Sequence, residues 1–256
     1  MALTALITGS TSGIGLGIAK AFAALGHQIV FNGLEPDGAE IAQKVASEAG
    51  VQHFFSPANM LDPVAIRALA KQAIDTFGSV DILVNNAGIQ YVAALENFPE
   101  EKWDAIIAIN LTAAFHLTKA VWPTMKAKKY GRVINIASAH GLVASEYKSA
   151  YVAAKHGLVG FTKTIALEGA DFGITANTIC PGYVHTPIID KQIPEQMKAH
   201  NMTAEEVVQK VLLDKQAIKS FNTIESIAQS AVFLVSDAAS TITGIALPVD
   251  GGWTAQ

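Results

Sequence analysis

A single cysteine, Cys180, stands among the 256 residues. That rules out an internal disulfide framework, and with it the small secreted scaffolds that depend on one. Arginine is nearly as scarce: Arg67 and Arg132 are the two present, and 18 basic against 22 acidic side chains leave a formal net charge of −4. So little cationic surface gives no electrostatic footprint for a phosphate backbone, and nucleic acid is not expected as a partner. No unbroken apolar run reaches the roughly 20 residues of a membrane helix. The opening Met1-Ala2-Leu3-Thr4-Ala5-Leu6-Ile7 also lacks the basic residues that precede the apolar part of an export signal. A cytoplasmic protein without membrane contact is expected. Charge of either sign is thin at 16%, against 50% hydrophobic residues. This excludes a disordered chain and leaves little polar surface to cover a monomer.

What the sequence does contain is a repeated pattern. Short apolar, β-branched runs recur at 3–8, 28–32, 51–55, 80–84, 132–137, 174–180 and 244–249. Between them lie segments with helical spacing, including 14–25, 40–49, 64–77, 103–125 and 150–168. Strands that are apolar throughout, separated by amphipathic helices, predict a single-domain α/β fold: a doubly wound, mostly parallel seven-stranded sheet with helices on both faces. The stretch 187–243 carries no strand pattern, and its first part, about 187–220, reads as a substrate lid built of helical segments.

Between the first strand and first helix lies Thr8-Gly9-Ser10-Thr11-Ser12-Gly13-Ile14-Gly15. Glycines there let the backbone turn tightly and approach a pyrophosphate, while the helix N-terminus favours its negative charge. Further along, Asn85-Asn86-Ala87-Gly88 follows the fourth strand and Ser138 closes the fifth. Tyr151 and Lys155 share a helix face four residues apart, and Pro181-Gly182 with Thr186 follows the sixth strand. Each motif is weak alone, but together and in this order they resemble the short-chain dehydrogenase/reductase family from residue 3 to about 253.

The resemblance implies an oxidoreductase that moves a hydride between a nicotinamide cofactor and a hydroxyl carbon. Its catalytic set would be Asn110, Ser138, Tyr151 and Lys155. A phenol of pKa about 10 needs roughly 4 kcal/mol to ionise near neutrality, which a lysine ammonium about 4 Å away could supply. Tyr151 would then be the general base in oxidation and the general acid in reduction. Ser138 would orient the reacting oxygen, Lys155 would hold the nicotinamide ribose, and Asn110 would anchor a water linking the lysine to solvent.

Cofactor contacts are expected from Gly9, Thr11, Ser12, Gly13, Ile14, Gly15, Gly33, Leu34, Asn59, Met60, Asn86, Ala87, Gly88, Tyr151, Lys155, Pro181, Gly182, Val184 and Thr186. Gly33 departs from the family pattern, because NAD-using members usually carry an aspartate there. Glu35, close by, reads as a solvated turn charge. No Lys or Arg lies between Lys20 and Lys44 to pair a 2′-phosphate, so NAD is the expected cofactor.

The segment 134–160 resembles the hydroxybutyrate-oxidising branch of the family. That resemblance implies reversible NAD-dependent oxidation of (R)-3-hydroxybutyrate to acetoacetate. Gln90, His140, Lys148 and Gln192 would hold the carboxylate, with Ser138 and Tyr151 at the hydroxyl and Tyr183 and Trp253 around the methyl end. Another short-chain oxidoreductase, such as a 3-oxoacyl-carrier reductase or a small alcohol dehydrogenase, stays open, as does a catalytically silent NAD-binding protein. The resemblance also implies a homotetramer packed through helices 111–125 and 150–168, and it suggests a structural cation near Gln256. No catalytic metal is expected, and Cys180 reads as a small buried hydrophobe.

Overall fold

The computed structural model describes residues 2–185, 193–194, 197–198 and 201–255. Seven parallel strands form one sheet: β1 (Thr4–Ile7), β2 (Gln28–Asn32), β3 (His53–Ser56), β4 (Ile82–Asn85), β5 (Gly131–Ile136), β6 (Ile174–Pro181) and β7 (Ala246–Val249). Their spatial order is β3-β2-β1-β4-β5-β6-β7. Each predicted apolar run coincides with a strand, because a strand covered on both faces needs apolar residues at every position.

Helices bounded within the described residues are α1 (Gly13–Ala24), α2 (Gly38–Ala49), α3 (Pro63–Phe77), α4 (Glu100–Ile107), α5 (Ala113–Lys128), α6 (Ser149–Gly169), α7 (Ala204–Val207) and α8 (Ile224–Val235). Local chemistry sets several of their ends. Asp62 caps α3 by accepting from the Val64 amide, with Pro63 in the first turn, and Gly78 closes the same helix with φ at 83°. One face of the sheet is covered by α1 and α8, whose Ile18, Phe22, Ile227 and Ala231 are fully buried. The other is covered by α3, α5 and α6 through Leu69, Leu117 and Ile165. Each such large side chain contributes about 1.5–3 kcal/mol of burial.

Two details differ from the sequence expectation. The helix predicted over 103–125 begins at Glu100, ends at Lys128 and is interrupted by a π-helical turn, Ala108–Thr112, that carries Asn110. By length and composition this continuous stretch could cross a membrane. In the fold, Ile106, Leu117, Val121 and Met125 bury one side of it in the core. The second difference is in the lid, where the helix of the described part is short: α7 is followed by another π turn, Val208–Leu212.

The strand order reverses between β1 and β4. In doubly wound sheets a crevice opens beyond the carboxyl ends of the strands at that point. Thr8, just past β1, donates its amide to the Val84 carbonyl of β4, so the glycine-rich turn lies at the switch point.

Candidate active site

The glycines of the turn are required by contact. A Cβ on Gly15 would lie 2.2 Å from the Gly9 carbonyl oxygen and 2.5 Å from Asn86 Nδ2, and Gly9 and Gly13 adopt φ of 60° and 51°. Asn86 braces the turn, donating through Nδ2 to the carbonyls of Thr8 (2.9 Å) and Gly9 (3.1 Å). The Thr8 hydroxyl accepts from the Asn86 and Ala87 amides at 2.9 and 3.0 Å. Ser12, at the N-cap of α1, makes no side-chain cap. The first amides of α1 thus keep the positive end of the helix available to an anion beside close-packed backbone. These features fit a dinucleotide's pyrophosphate.

Glu35 corrects the sequence reading. It is half-buried rather than a solvated turn charge, and its carboxylate accepts from the hydroxyls of Thr11 and Ser12, the latter at 3.0 Å. Burial pushes its pKa up, but the Thr11 and Ser12 hydroxyls with nearby backbone amides outweigh that and hold it below the usual value. Gly33 belongs to the same arrangement. A Cβ there would lie 2.0 Å from Thr11 Oγ1 and 2.6 Å from Glu35 Oε2, so a side chain at this position would displace the Thr11–Glu35 pair. Leu34 is exposed and Met60 is buried, while the Asn59 carboxamide oxygen accepts from the Leu61 amide at 2.9 Å. Ile14, half-buried, packs on the core.

At the other end of the crevice, β5 stops at Ile136 and Ser138 follows in extended conformation, capping the short turn Ala139–Gly141. Its Oγ accepts from the His140 amide at 3.2 Å and lies 3.3 Å from His140 Nδ1. Lys155, buried on α6, donates to the Ile136 carbonyl at 2.7 Å. Burial lowers its pKa to about 8, with the Cys180 thiol opposing that fall. Its Nζ lies 5.5 Å from the centre of the Tyr151 ring. The expected electrostatic lowering of Tyr151 is not what the protein alone produces. Burial raises the phenol, and the Ser138 hydroxyl draws it part of the way back.

Asn110 is almost fully buried and clamps Ile89 in both directions, accepting from its amide and donating to its carbonyl, each at 2.9 Å. The π turn places it there. Gly88 lies between it and the lysine: a Cβ would stand 3.4 Å from Asn110 Oδ1 and 3.7 Å from Lys155 Nζ. Cys180 is wholly buried and its thiol is pushed up to about 11, mainly by burial, which makes it inert as a nucleophile.

A cavity of about 590 Å³ opens beside these groups, with Ser145, Lys148, Tyr183, Lys215 and Trp253 in its wall. Tyr183 stacks on Trp253 (5.6 Å, 8°), and Lys148 Nζ lies 5.9 Å from the Tyr183 ring centre. His140 meets Trp253 edge-on at 5.0 Å and Tyr151 at 5.9 Å. Burial, followed by the charges of Lys148, Lys215 and His156, lowers the His140 pKa to about 3, so its imidazole is neutral. Burial and Lys215 lower that of Lys148. Gln90 is half-buried on the neighbouring loop but does not line this cavity. Thr186, Gln192 and Gln256 lie outside the described residues.

Gly182 meets Asp250 backbone to backbone, since a Cβ would be 2.8 Å from the Asp250 Cα, and Val184 bridges Asn222 just beyond Pro181. Behind the site, Asn85 donates to Asn135 Oδ1 and Asn135 to Thr162, both at 2.7 Å. Asn85 belongs to a motif visible in the sequence, whereas Asn135, Thr162, Ser145 and Lys215 do not. The one signal for this polar chain is an amide set between Ile134 and Ile136 in β5.

Comparison with known proteins agrees with this geometry. The short chain dehydrogenase family matches residues 3–197. The chain is 52% identical to a D-beta-hydroxybutyrate dehydrogenase of Rhizobium meliloti over 258 aligned positions, covering 100% of both chains. It is 52% identical to the Cupriavidus necator protein of the same name, over 99% of this chain and 98% of that one. Among solved structures, a variant of the actinorhodin polyketide ketoreductase with NADPH superposes with a TM-score of 0.94 at 33% identity, over 100% of this chain and 98% of that one. The cofactor class is therefore a nicotinamide dinucleotide. With a family match that takes in the glycine-rich turn, Ser138, Tyr151 and Lys155, and relatives that align from end to end, the chain belongs to the short-chain dehydrogenase family.

Proposed function

We propose that this protein catalyses the reversible NAD-dependent oxidation of (R)-3-hydroxybutyrate to acetoacetate. The observation that carries the reading is the cavity wall, in which a cation, Lys148, stands by an aromatic pair, Tyr183 and Trp253, and His140 joins Trp253 to Ser138 and Tyr151. A C4 hydroxy acid presents the matching features: a carboxylate at one end, a methyl group at the other and a secondary hydroxyl between them. The names of the two 52%-identical relatives support the same substrate.

In this reading Lys148 and His140 bind the carboxylate, with Gln90 and Gln192 as amide donors, and the Tyr183–Trp253 stack covers the methyl end. Ser138 donates to the reacting oxygen and Tyr151 takes the hydroxyl proton, returning it when the ketone is reduced. Lys155 holds the nicotinamide ribose and Asn110 supports the loop beside it. The bound cofactor supplies the hydride acceptor. Gly9, Thr11, Ser12, Gly13, Ile14 and Gly15 seat its pyrophosphate side, together with Asn86, Ala87 and Gly88. Gly33, Leu34, Asn59 and Met60 flank the adenosine, and Pro181, Gly182, Val184 and Thr186 meet the nicotinamide. Glu35 supports NAD over NADP, because a carboxylate fixed by Thr11 and Ser12 repels a 2′-phosphate. The segment 187–220 acts as a lid that excludes water.

The working unit in this reading is a soluble, cytoplasmic homotetramer without nucleic-acid or membrane partners. Phe115 on α5 and Leu167 on α6, 42% and 81% exposed in the single chain, support subunit packing on those helices. The alternative is a carrier-linked ketoreductase, favoured by the likeness to the NADPH-bound polyketide enzyme; it would prefer NADPH and need a basic docking patch. Assay with the D acid and NAD tests the proposal, and activity confined to carrier-linked ketones and NADPH would replace it.

A further inference from the structure

The two stacked rings of the cavity wall come from separate parts of the chain and share one backing. Tyr183 lies just beyond β6 and Trp253 just beyond β7. Behind both runs the segment 216–222, whose first residue, Gln216, is 1% exposed and does not line the cavity. A buried carboxamide is tolerated when its oxygen and its N–H groups find partners. Gln216 finds three. Its Oε1 accepts from the Tyr183 amide at 3.0 Å, and its Nε2 donates to the carbonyls of Ile218 at 3.3 Å and Ser220 at 3.0 Å. All three are backbone groups, which either donate or accept but never both, so the direction of each bond is fixed.

The backbone under each ring is docked on this segment. On one side the Tyr183 carbonyl accepts from the Asn222 amide at 2.9 Å and from Asn222 Nδ2 at 3.3 Å. On the other, the Ile218 amide donates to the Gly251 carbonyl at 2.9 Å, two residues before Trp253. The packing leaves no slack. A Cβ on Gly251 would lie 2.9 Å from Gln216 Nε2, and one on Gly182 would lie 2.8 Å from Gln216 Oε1. The buried Asp250 carboxylate accepts from the Gly252 and Thr254 amides, each at 2.9 Å, and so grips the Trp253 turn from its far side.

We propose that Gln216 is a positioning residue that sets the Tyr183–Trp253 stack and, through it, the length of hydroxy acid that the pocket accepts. This rests on the reading that the stack covers the methyl end of a C4 acid. An apolar wall selects by where its rings stand, and one methylene admitted or refused is worth roughly 10–200-fold in kcat/KM. Gln216 is the one side chain hydrogen-bonded both to the Tyr183 backbone and to Ile218, which holds the Trp253 turn. Loss of its amide frees the two rings to part.

The test compares D-3-hydroxybutyrate with D-3-hydroxyvalerate, one methylene longer, in Gln216→Met and Asn222→Ala. Methionine keeps much of the volume and removes all three bonds, whereas the Asn222 change removes one side-chain bond to Tyr183. Gln216→Met is expected to raise the ratio of kcat/KM for the longer acid over the shorter by about tenfold, with NAD affinity changed by less than about twofold. Asn222→Ala should move the ratio the same way by a smaller factor. A merely structural role would lower both acids together, and an unchanged ratio in folded Gln216→Met overturns the proposal. If that variant does not fold, the ratio in Asn222→Ala decides. A second readout needs no turnover: with Trp103→Phe and Trp122→Phe, Trp253 is the sole tryptophan, and Gln216→Met should raise its quenching by acrylamide severalfold. Unchanged quenching also overturns the proposal. Raised quenching in an enzyme that ignores both acids would sink the substrate reading while keeping Gln216 as the holder of the stack.

Discussion

The two ends of the crevice are built differently. The cofactor end, from Thr8 to Gly15 with Asn86, is a matter of backbone: carbonyls, amides and missing side chains fit so closely that a single Cβ on Gly15 would collide at 2.2 Å. The substrate end, from Ser138 to Lys155 with Tyr183 and Trp253, is a matter of side chains whose proton and charge states are set by burial and by one another. Shape therefore governs binding at the first end and protonation governs chemistry at the second. Substitutions should fail in correspondingly different ways.

The largest effect is expected at the substrate end. Tyr151→Phe should lower turnover by about two to four orders of magnitude, the usual range for general acid–base catalysis, while cofactor binding measured by fluorescence is retained. Next comes a dependence on pH. His140 titrates near 6.5 when unfolded and at about 3 when folded. Between those values the unfolded chain binds the extra proton, so this contribution to stability is fully present above pH 6.5 and is lost as pH falls toward 3. It amounts to a few kcal/mol on an order-of-magnitude scale. Urea midpoints measured from about pH 7 to about pH 4 should fall less steeply in His140→Gln than in the wild type.

A third effect is specific to the anion. Lys148→Gln should raise the KM for hydroxybutyrate roughly tenfold, about 1.4 kcal/mol, with little change in kcat; an unchanged KM would take Lys148 out of the binding set. At the cofactor end the effects are smaller. Glu35→Gln should improve NADP use relative to NAD by several-fold, while Gly33→Asp, despite restoring the family's usual residue, should weaken NAD binding because its Cβ meets Thr11 Oγ1 at 2.0 Å. Steady-state ratios for the two cofactors decide both.

This division also explains what was legible in the sequence. The sheet was legible because residues such as Ile29-Val30-Phe31 and Val133-Ile134 must be apolar on both faces, and the glycine-rich turn because close approach admits no other residue. Tyr151 and Lys155 could be paired because helical spacing puts them on one face. Glu35 was misread because its contacts reach back 23 and 24 residues, to Ser12 and Thr11, and depend on what Gly33 lacks. Ser145 and Lys215 carried no signal, since a loop serine and an exposed lysine look ordinary until folding sets them against His140 and Lys148.

The most direct test of the account follows NADH formation from NAD and D-3-hydroxybutyrate, with the L enantiomer, a carboxylate-free secondary alcohol and NADP as parallel controls. Rapid turnover of the D acid with NAD, and little with any control, is the predicted result. Turnover of the uncharged alcohol without the acid would contradict it, leaving the family chemistry in place and removing the hydroxy-acid substrate.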